Sequence, residues 1–343
     1  MTVLTATRRV DSAARAVAPR HLCEGNPGAV LRTAVDALAA GRQPVLAVVV
    51  ETEGSTYASA GAIALFGDGP HVGWISGGCL EPEIERVALR AAGSGGLEWL
   101  EIDTTDDGAL FMGSAVGCRG RQLLALVPMA ALPDIAAAAL TWLAGGHALR
   151  IALHDDGRIG CRVDGHAWSW HLPAAARPGP ATQRWALTLH RAPEALILGA
   201  GPETPTLVPM LASLGWRVTV AERRVRWRDA ALAQCSPVDA HPEDAIAAHP
   251  HADVALVMHH GFEADREALA ALAGSRIPFV GLLGPARRRD DLFKLLRPAD
   301  RDALDGRLHS PVGIPQCGRG PEAIALSIAT QLQQWRGAQT RLA

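Results

Sequence analysis

Residues 195–204 read Ala195-Leu-Ile-Leu198-Gly-Ala-Gly201-Pro-Glu-Thr204, a short apolar run that breaks into two glycines. A helical pattern over 206–214 follows, and then a second apolar run over 217–221 that ends at Glu222. This is the strand, glycine turn, helix, strand order of a Rossmann unit. The glycines permit the tight turn, the helix N-terminus favours an anionic group, and an acidic residue about twenty positions on is placed for a ribose hydroxyl. Thr204 stands where the third glycine of the fingerprint belongs, and Pro202 removes one backbone donor from the loop. The turn therefore predicts the doubly wound fold more firmly than it predicts a bound dinucleotide.

Outward from that turn the alternation continues. Strands are predicted over 253–258 and 278–283, and helices over 243–248, 265–273 and 286–296. A last helix opens at Gly320-Pro321 and carries Ile324, Ile328, Leu332 and Trp335 on one face. Ligands of open α/β sheets bind at the carboxyl ends of the strands. There the chain offers Gly199, Gly201 and Glu222, then His259-His260-Gly261 with Asp265 beyond, then Gly284 and the trio Arg287-Arg288-Arg289. Arginines at a helix start grip phosphate or another anion, or they pair with Asp290 and Asp291 in solvent. The two histidines are acid/base or metal-ligating candidates, or structural side chains, since no third ligand lies at a fixed spacing.

The N-terminal half is of another kind. A helix is predicted over 29–40, ended by Gly41, and a both-faces-buried strand over 44–51. The Gly-Ser-Thr loop 53–57, a strand over 62–66 and the segment Gly73-Trp-Ile-Ser76-Gly77-Gly78-Cys79-Leu-Glu81 come next. Cys79 lies behind two glycines and just ahead of a helix predicted over 82–92, a setting that exposes a thiol and lowers its pKa toward thiolate. The alternative is a small buried hydrophobe in a tight turn. Cys118 occupies a second glycine turn, 117–120, followed by a strand over 123–127. A helix over 132–143 leads into a tryptophan-bearing, irregular stretch over 151–185 and a proline-rich linker at 173–180. The expected division is a disordered tail over 1–22, a cysteine-bearing α/β domain over 23–190 and a Rossmann-like domain over 191–343.

The chain of 343 residues is long enough for two cores, and its net charge of −2, with Lys294 the only lysine, argues against a nucleic-acid partner. Its six cysteines are scattered with no Cys-x-x-Cys pair, which indicates neither a zinc site nor a disulfide framework and suits a reducing cytoplasm. No apolar run is long enough for a membrane span. The first twenty residues lack a secretory core, and Asp11 interrupts a transit-peptide pattern.

Taken together, these turns resemble the xanthine dehydrogenase accessory factor family, XdhC/CoxI. The resemblance rests on Gly54-Ser-Thr56, Ser76-Gly-Gly-Cys-Leu-Glu81, the 117–120 turn, Gly199-Ala-Gly201, Leu214-Gly-Trp-Arg-Val-Thr-Val220, Val257-Met-His259, Val280-Gly-Leu-Leu-Gly284 and Pro321-Glu-Ala-Ile-Ala-Leu-Ser327. Arg119 departs from the common Cys-Gly-Gly, and Pro202-Glu203-Thr204 from the His-Val-Gly of many members. The resemblance implies a cytoplasmic chaperone, a maturation factor rather than an enzyme. It would bind the molybdenum cofactor (molybdopterin or its dinucleotide form), assist its sulfuration and insert it into an apo molybdenum hydroxylase of the xanthine dehydrogenase family. A cysteine desulfurase and a homodimer belong to the same expectation. On this reading Cys79 and Cys118 ligate molybdenum or carry sulfur. Ser76, Gly77, Gly78, Glu81, Arg119, Gly199, Gly201, Glu222, His259, Arg287 and Arg288 bind the cofactor, with the arginine cluster and the turn over 199–204 holding its anionic tail. The competing expectation is an NAD(P)-dependent oxidoreductase built on the Rossmann-like domain.

Overall fold

The computed structural model describes the backbone of residues 2–5 and residues 26–105, 119–175, 183–228, 235 and 237–340. It divides into two compact units, Met1–Arg191 and Ala192–Ala343.

The first unit runs β1 (Thr2–Thr5), α1 (Pro27–Ala39), β2 (Pro44–Gly54), β3 (Ile63–Gly67), α2 (Glu81–Ser94), β4 (Glu98–Asp103) and β5 (Gly120–Pro128). A 3₁₀ turn, Met129–Ala131, precedes α3 (Ile135–Leu143), β6 (Ala148–His154), β7 (Arg158–Val163), β8 (His166–His171) and β9 (Arg184–His190). Asn26 starts α1 by accepting the Ala29 N–H at 3.1 Å, with Pro27 in the first turn. Its buried stripe of Val30, Leu31, Ala34 and Ala37 lies in the core with the wholly buried run Val45–Val49 of β2.

Five strands form the first sheet in the order β1-β4-β5-β2-β3, mixed in direction. A tail was expected over 1–22. Within it Thr2–Thr5 instead pairs in parallel with β4, a β-branched segment taking up an otherwise open edge. The helix expected from 132 begins three residues later, because Asp134 takes a left-handed φ of 63° and breaks the turn.

The stretch 151–185, expected to be irregular, is mostly a second sheet, β8-β7-β6-β9, antiparallel throughout. Arg150-Ile-Ala-Leu153 and Ile159-Gly-Cys-Arg-Val163 alternate with period two, and Asp164-Gly165, both at positive φ, is the two-residue turn that closes a hairpin.

The second unit runs β10 (Glu194–Leu198), α4 (Thr204–Ser213), β11 (Arg217–Ala221), α5 (Val225–Arg228), α6 (Pro242–Ala248), β12 (Val254–Val257) and α7 (Phe262–Ala273). It continues through β13 (Phe279–Leu282), α8 (Ala286–Leu295), α9 (Pro298–Leu304), β14 (Leu308–His309) and α10 (Pro321–Thr340). Its five strands are all parallel, in the order β11-β10-β12-β13-β14. The sheet is buried on both faces. Ile197, Leu256 and Phe279 pack with Leu207, Leu211, Ile328 and Leu332 of α4 and α10. Leu198, Val257 and Val280 pack with Leu269, Leu272 and Leu292 of α7 and α8. The strand order reverses between β10 and β12, which makes the carboxyl ends of these strands the crevice of a doubly wound fold. No helix among the described residues is long and apolar enough to cross a membrane.

Candidate functional site

Cys79 stands in the loop before α2, which Gly73 and Gly78 enter with φ of 99° and 97°. Ser76 and Glu81, both buried, hold that loop from within. One Glu81 oxygen accepts the N–H groups of Ile75 at 3.1 Å and Ser76 at 2.8 Å, and the Ser76 hydroxyl donates to the other. The Ser76 Oγ in turn accepts from the N–H groups of Gly78 and Leu80 and, at 3.6 Å, from the Cys79 thiol. A serine hub braced by a carboxylate thus fixes the backbone while the thiol itself remains exposed. His71 packs against Phe66 with the ring centroids 4.4 Å apart and the rings tilted, and lies 5.8 Å from the Trp74 ring. Burial holds the His71 pKa below its ordinary value despite the attraction of Glu81, so the ring is neutral at pH 7.

Of the second cysteine turn, Cys118 lies outside the described residues. Arg119 is described, and the structure brings its backbone against Gly54. The Arg119 carbonyl accepts the Ser55 N–H at 3.0 Å, and a Cβ on Gly54 would lie 2.7 Å from that oxygen.

The thiols differ in what surrounds them. Cys161 is buried in the second sheet, which pushes its pKa up to about 11, and burial also raises that of half-buried Cys235. Because only the thiolate reacts, iodoacetamide at a pH of about 8 is expected to alkylate Cys79 well ahead of Cys161, which stays unlabelled until the chain unfolds. Peptide mass spectrometry over a labelling time course checks the order.

In the second unit the structure brings Gly199, Gly201, Glu222, His259 and Arg288 together at the strand ends. Gly199 has φ of 88°, and a Cβ there would fall 2.5 Å from the His259 Cα. Thr204 fills the place of the missing glycine by accepting the Gly201 N–H at 2.9 Å. Glu222 is fully buried and already engaged. It accepts the N–H of Ala200 at 2.7 Å, the N–H of Arg224 at 2.7 Å, and that arginine's guanidinium at 2.7 and 2.9 Å. Burial pushes its pKa up, but the Arg224 guanidinium and the two N–H groups outweigh burial and hold it below the ordinary range. The acid expected to meet a ribose is a bracket between two turns, and Arg224 also donates to the Ala200 carbonyl at 2.7 Å.

A second buried carboxylate, Asp265, was not among the predicted site residues. It accepts from Arg288 at 2.6 and 3.1 Å and from the His259 N–H at 3.2 Å, with the His259 Nδ1 at 3.3 Å. The trio therefore splits. Arg288 turns inward to Asp265, Arg287 is almost wholly exposed and 4.0 Å from Asp291, and Arg289 pairs with Asp290. His260, strained at φ 60°, sets its Nε2 3.2 Å from the buried Glu203 and lines two cavities. One, of about 320 Å³, is bounded by Glu222, Arg223, Arg224 and Pro242; the other, of about 460 Å³, by Glu203, Gly284, Arg288 and Ser327. Arg223 and Arg224 were legible as two cations directly after the acid, a pattern that can read a phosphate in place of a hydroxyl.

A parallel sheet with a glycine turn at its switch point, flanked by two cavities, defines a Rossmann-type unit. Residues 195–332 match the XdhC Rossmann domain model and residues 37–103 that of the XdhC and CoxI family, and the chain belongs to this family. A curated relative from Bacillus subtilis (strain 168), a probable xanthine dehydrogenase subunit, is 28% identical over 343 residues, covering 89% of this chain and 97% of that protein. The crystal structure of a xanthine dehydrogenase from Bacillus halodurans superposes with a TM-score of 0.75 at 22% identity, covering 91% of this chain and 96% of that one. That likeness establishes the fold.

Proposed function

We propose that the protein is a xanthine dehydrogenase accessory factor that holds the molybdenum cofactor as cargo and delivers it to an apo molybdenum hydroxylase. The observation that carries this reading is the exposed Cys79 thiol on a loop braced by Ser76 and Glu81. A cofactor whose dithiolene already ligates the metal needs little more than one soft, accessible protein ligand, which a thiolate supplies. Taken by itself, the Rossmann unit offers cations to an anionic group, with Arg223 and Arg224 lining one cavity and Arg288 the other. Sulfuration on this protein, with a cysteine desulfurase as the sulfur source, and a homodimeric state form part of the same reading.

Anaerobic purification followed by molybdenum analysis and pterin fluorescence tests it. The wild type is expected to carry both in proportion to protein, and Cys79→Ala to lose about tenfold or more. Equal molybdenum and pterin in the two proteins removes Cys79 from the metal. Pterin-free protein that retains NAD(P) instead places the chain among oxidoreductases.

A further inference from the structure

The second sheet of the first unit has two unlike faces. Register assigns Ile151, Cys161, Trp168 and Leu187 to one row and Leu153, Ile159, Trp170 and Trp185 to the next, all on the core side. Trp170 donates to the Pro133 carbonyl at 2.9 Å and Trp185 to Glu51 at 2.6 Å, which pins that face inward. On the opposite face Ala152, Gly160, Ser169 and Ala186 form a row of small residues across all four strands. Two adjoining cavities of about 480 and 470 Å³ share Ala152, Gly160 and Ser169, so the row is the floor of one trough.

Cations line both rims. Arg150 and Arg162 stand directly opposite each other on one side; on the other, Arg158 opposes His171 and Arg184 opposes His154. The four strands contain no aspartate or glutamate at all. Arg158 is balanced by Asp156 in the neighbouring turn at 2.8 Å. Arg150, Arg162 and Arg184 are exposed and have no hydrogen-bond or ion-pair partner among the described residues. Like charges directly opposite on a sheet destabilise it. In a chain whose net charge is −2, this face concentrates positive charge against its own stability.

We propose that this face is the docking surface for an acidic α-helix of a partner protein. Alternate residues of a strand are about 6.7 Å apart, so the two cationic rows lie roughly 13 Å apart. A helix with its side chains is about 10–12 Å wide, which seats a small-residue stripe on the trough floor and carboxylates at both rims. A single-stranded nucleic acid stacks its bases chiefly on large aromatic faces, and the three tryptophans of these strands belong to the core-facing rows, which leaves this face only histidine rings, His154 and His171 among them. The inference does not rest on the cofactor reading.

The test uses the full chain and a fluorescent helical peptide bearing an alanine stripe flanked by glutamates, with a single-stranded oligothymidine as the competing polyanion. The wild type is expected to bind the peptide in a salt-dependent manner, and Arg150→Ala/Arg162→Ala/Arg184→Ala to bind it about tenfold more weakly or worse. The triple variant is expected to unfold no earlier than the wild type, since it loses a like-charge pair. No binding of the peptide by the wild type, equal binding by the variant, or tighter binding of the oligothymidine overturns the proposal.

Discussion

Gly199→Ala is expected to destabilise the second unit by about 3 to 5 kcal/mol, combining the strain of a non-glycine residue at positive φ with a clash that the neighbouring backbone must relieve. The added Cβ would meet the Cα of His259 at 2.5 Å and its ring carbons at 2.6 Å, and neither is the free end of a flexible side chain. Gly165 supplies the control, having the same φ of 88° with nothing within 4 Å of its Cβ position. Gly165→Ala should therefore show only the conformational part, about 1 kcal/mol. Hydrogen exchange across β10 and β12, compared with β7 and β8 for the control, separates the two. Similar losses at both glycines would mean that the β10 turn and His259 are not in close approach.

Asp265→Ala is expected to cost about 3 kcal/mol, because it strands the inward-turned Arg288 and leaves the His259 N–H without its acceptor. Asp265→Asn keeps an acceptor for His259 but loses the charge, and should fall between alanine and wild type. Combining Asp265→Ala with Arg288→Met should cost less than the sum of the two, since the second change removes the charge that the first left unpaired. Urea unfolding of the four proteins measures the cycle. Strict additivity would show that carboxylate and guanidinium are energetically independent despite their 2.6 Å contact.

Much of the second unit was legible in the sequence, for a physical reason. A parallel strand buried on both faces reads as a continuous apolar run, and Leu196-Ile-Leu198 meeting Gly199 marks where such a strand must turn. The short elements α5, α9 and β14 were not predicted, being too brief to carry a periodic signal. The second sheet was obscured differently: its alternation was present, but arginines, histidines and tryptophans stand where aliphatic residues usually announce a strand. The Asp164-Gly165 turn was the signal that could have exposed it.

Sequence alone determined that the chain holds two α/β units, that the second is doubly wound around a glycine turn, and that Cys79 follows two glycines just ahead of a helix. These are consequences of local pattern, because apolar period, glycine placement and helix starts are all set by neighbours along the chain. Only the tertiary structure decided that Glu222 is saturated by Ala200 and Arg224, since several donors compete for one carboxylate and geometry chooses among them. It also decided that Arg288 and not Arg287 meets Asp265, because successive residues of a helix point about 100° apart. Strand register aligned arginines from three strands along one trough. Each of these depends on residues distant in the chain, and their distances are fixed only when the sheets close.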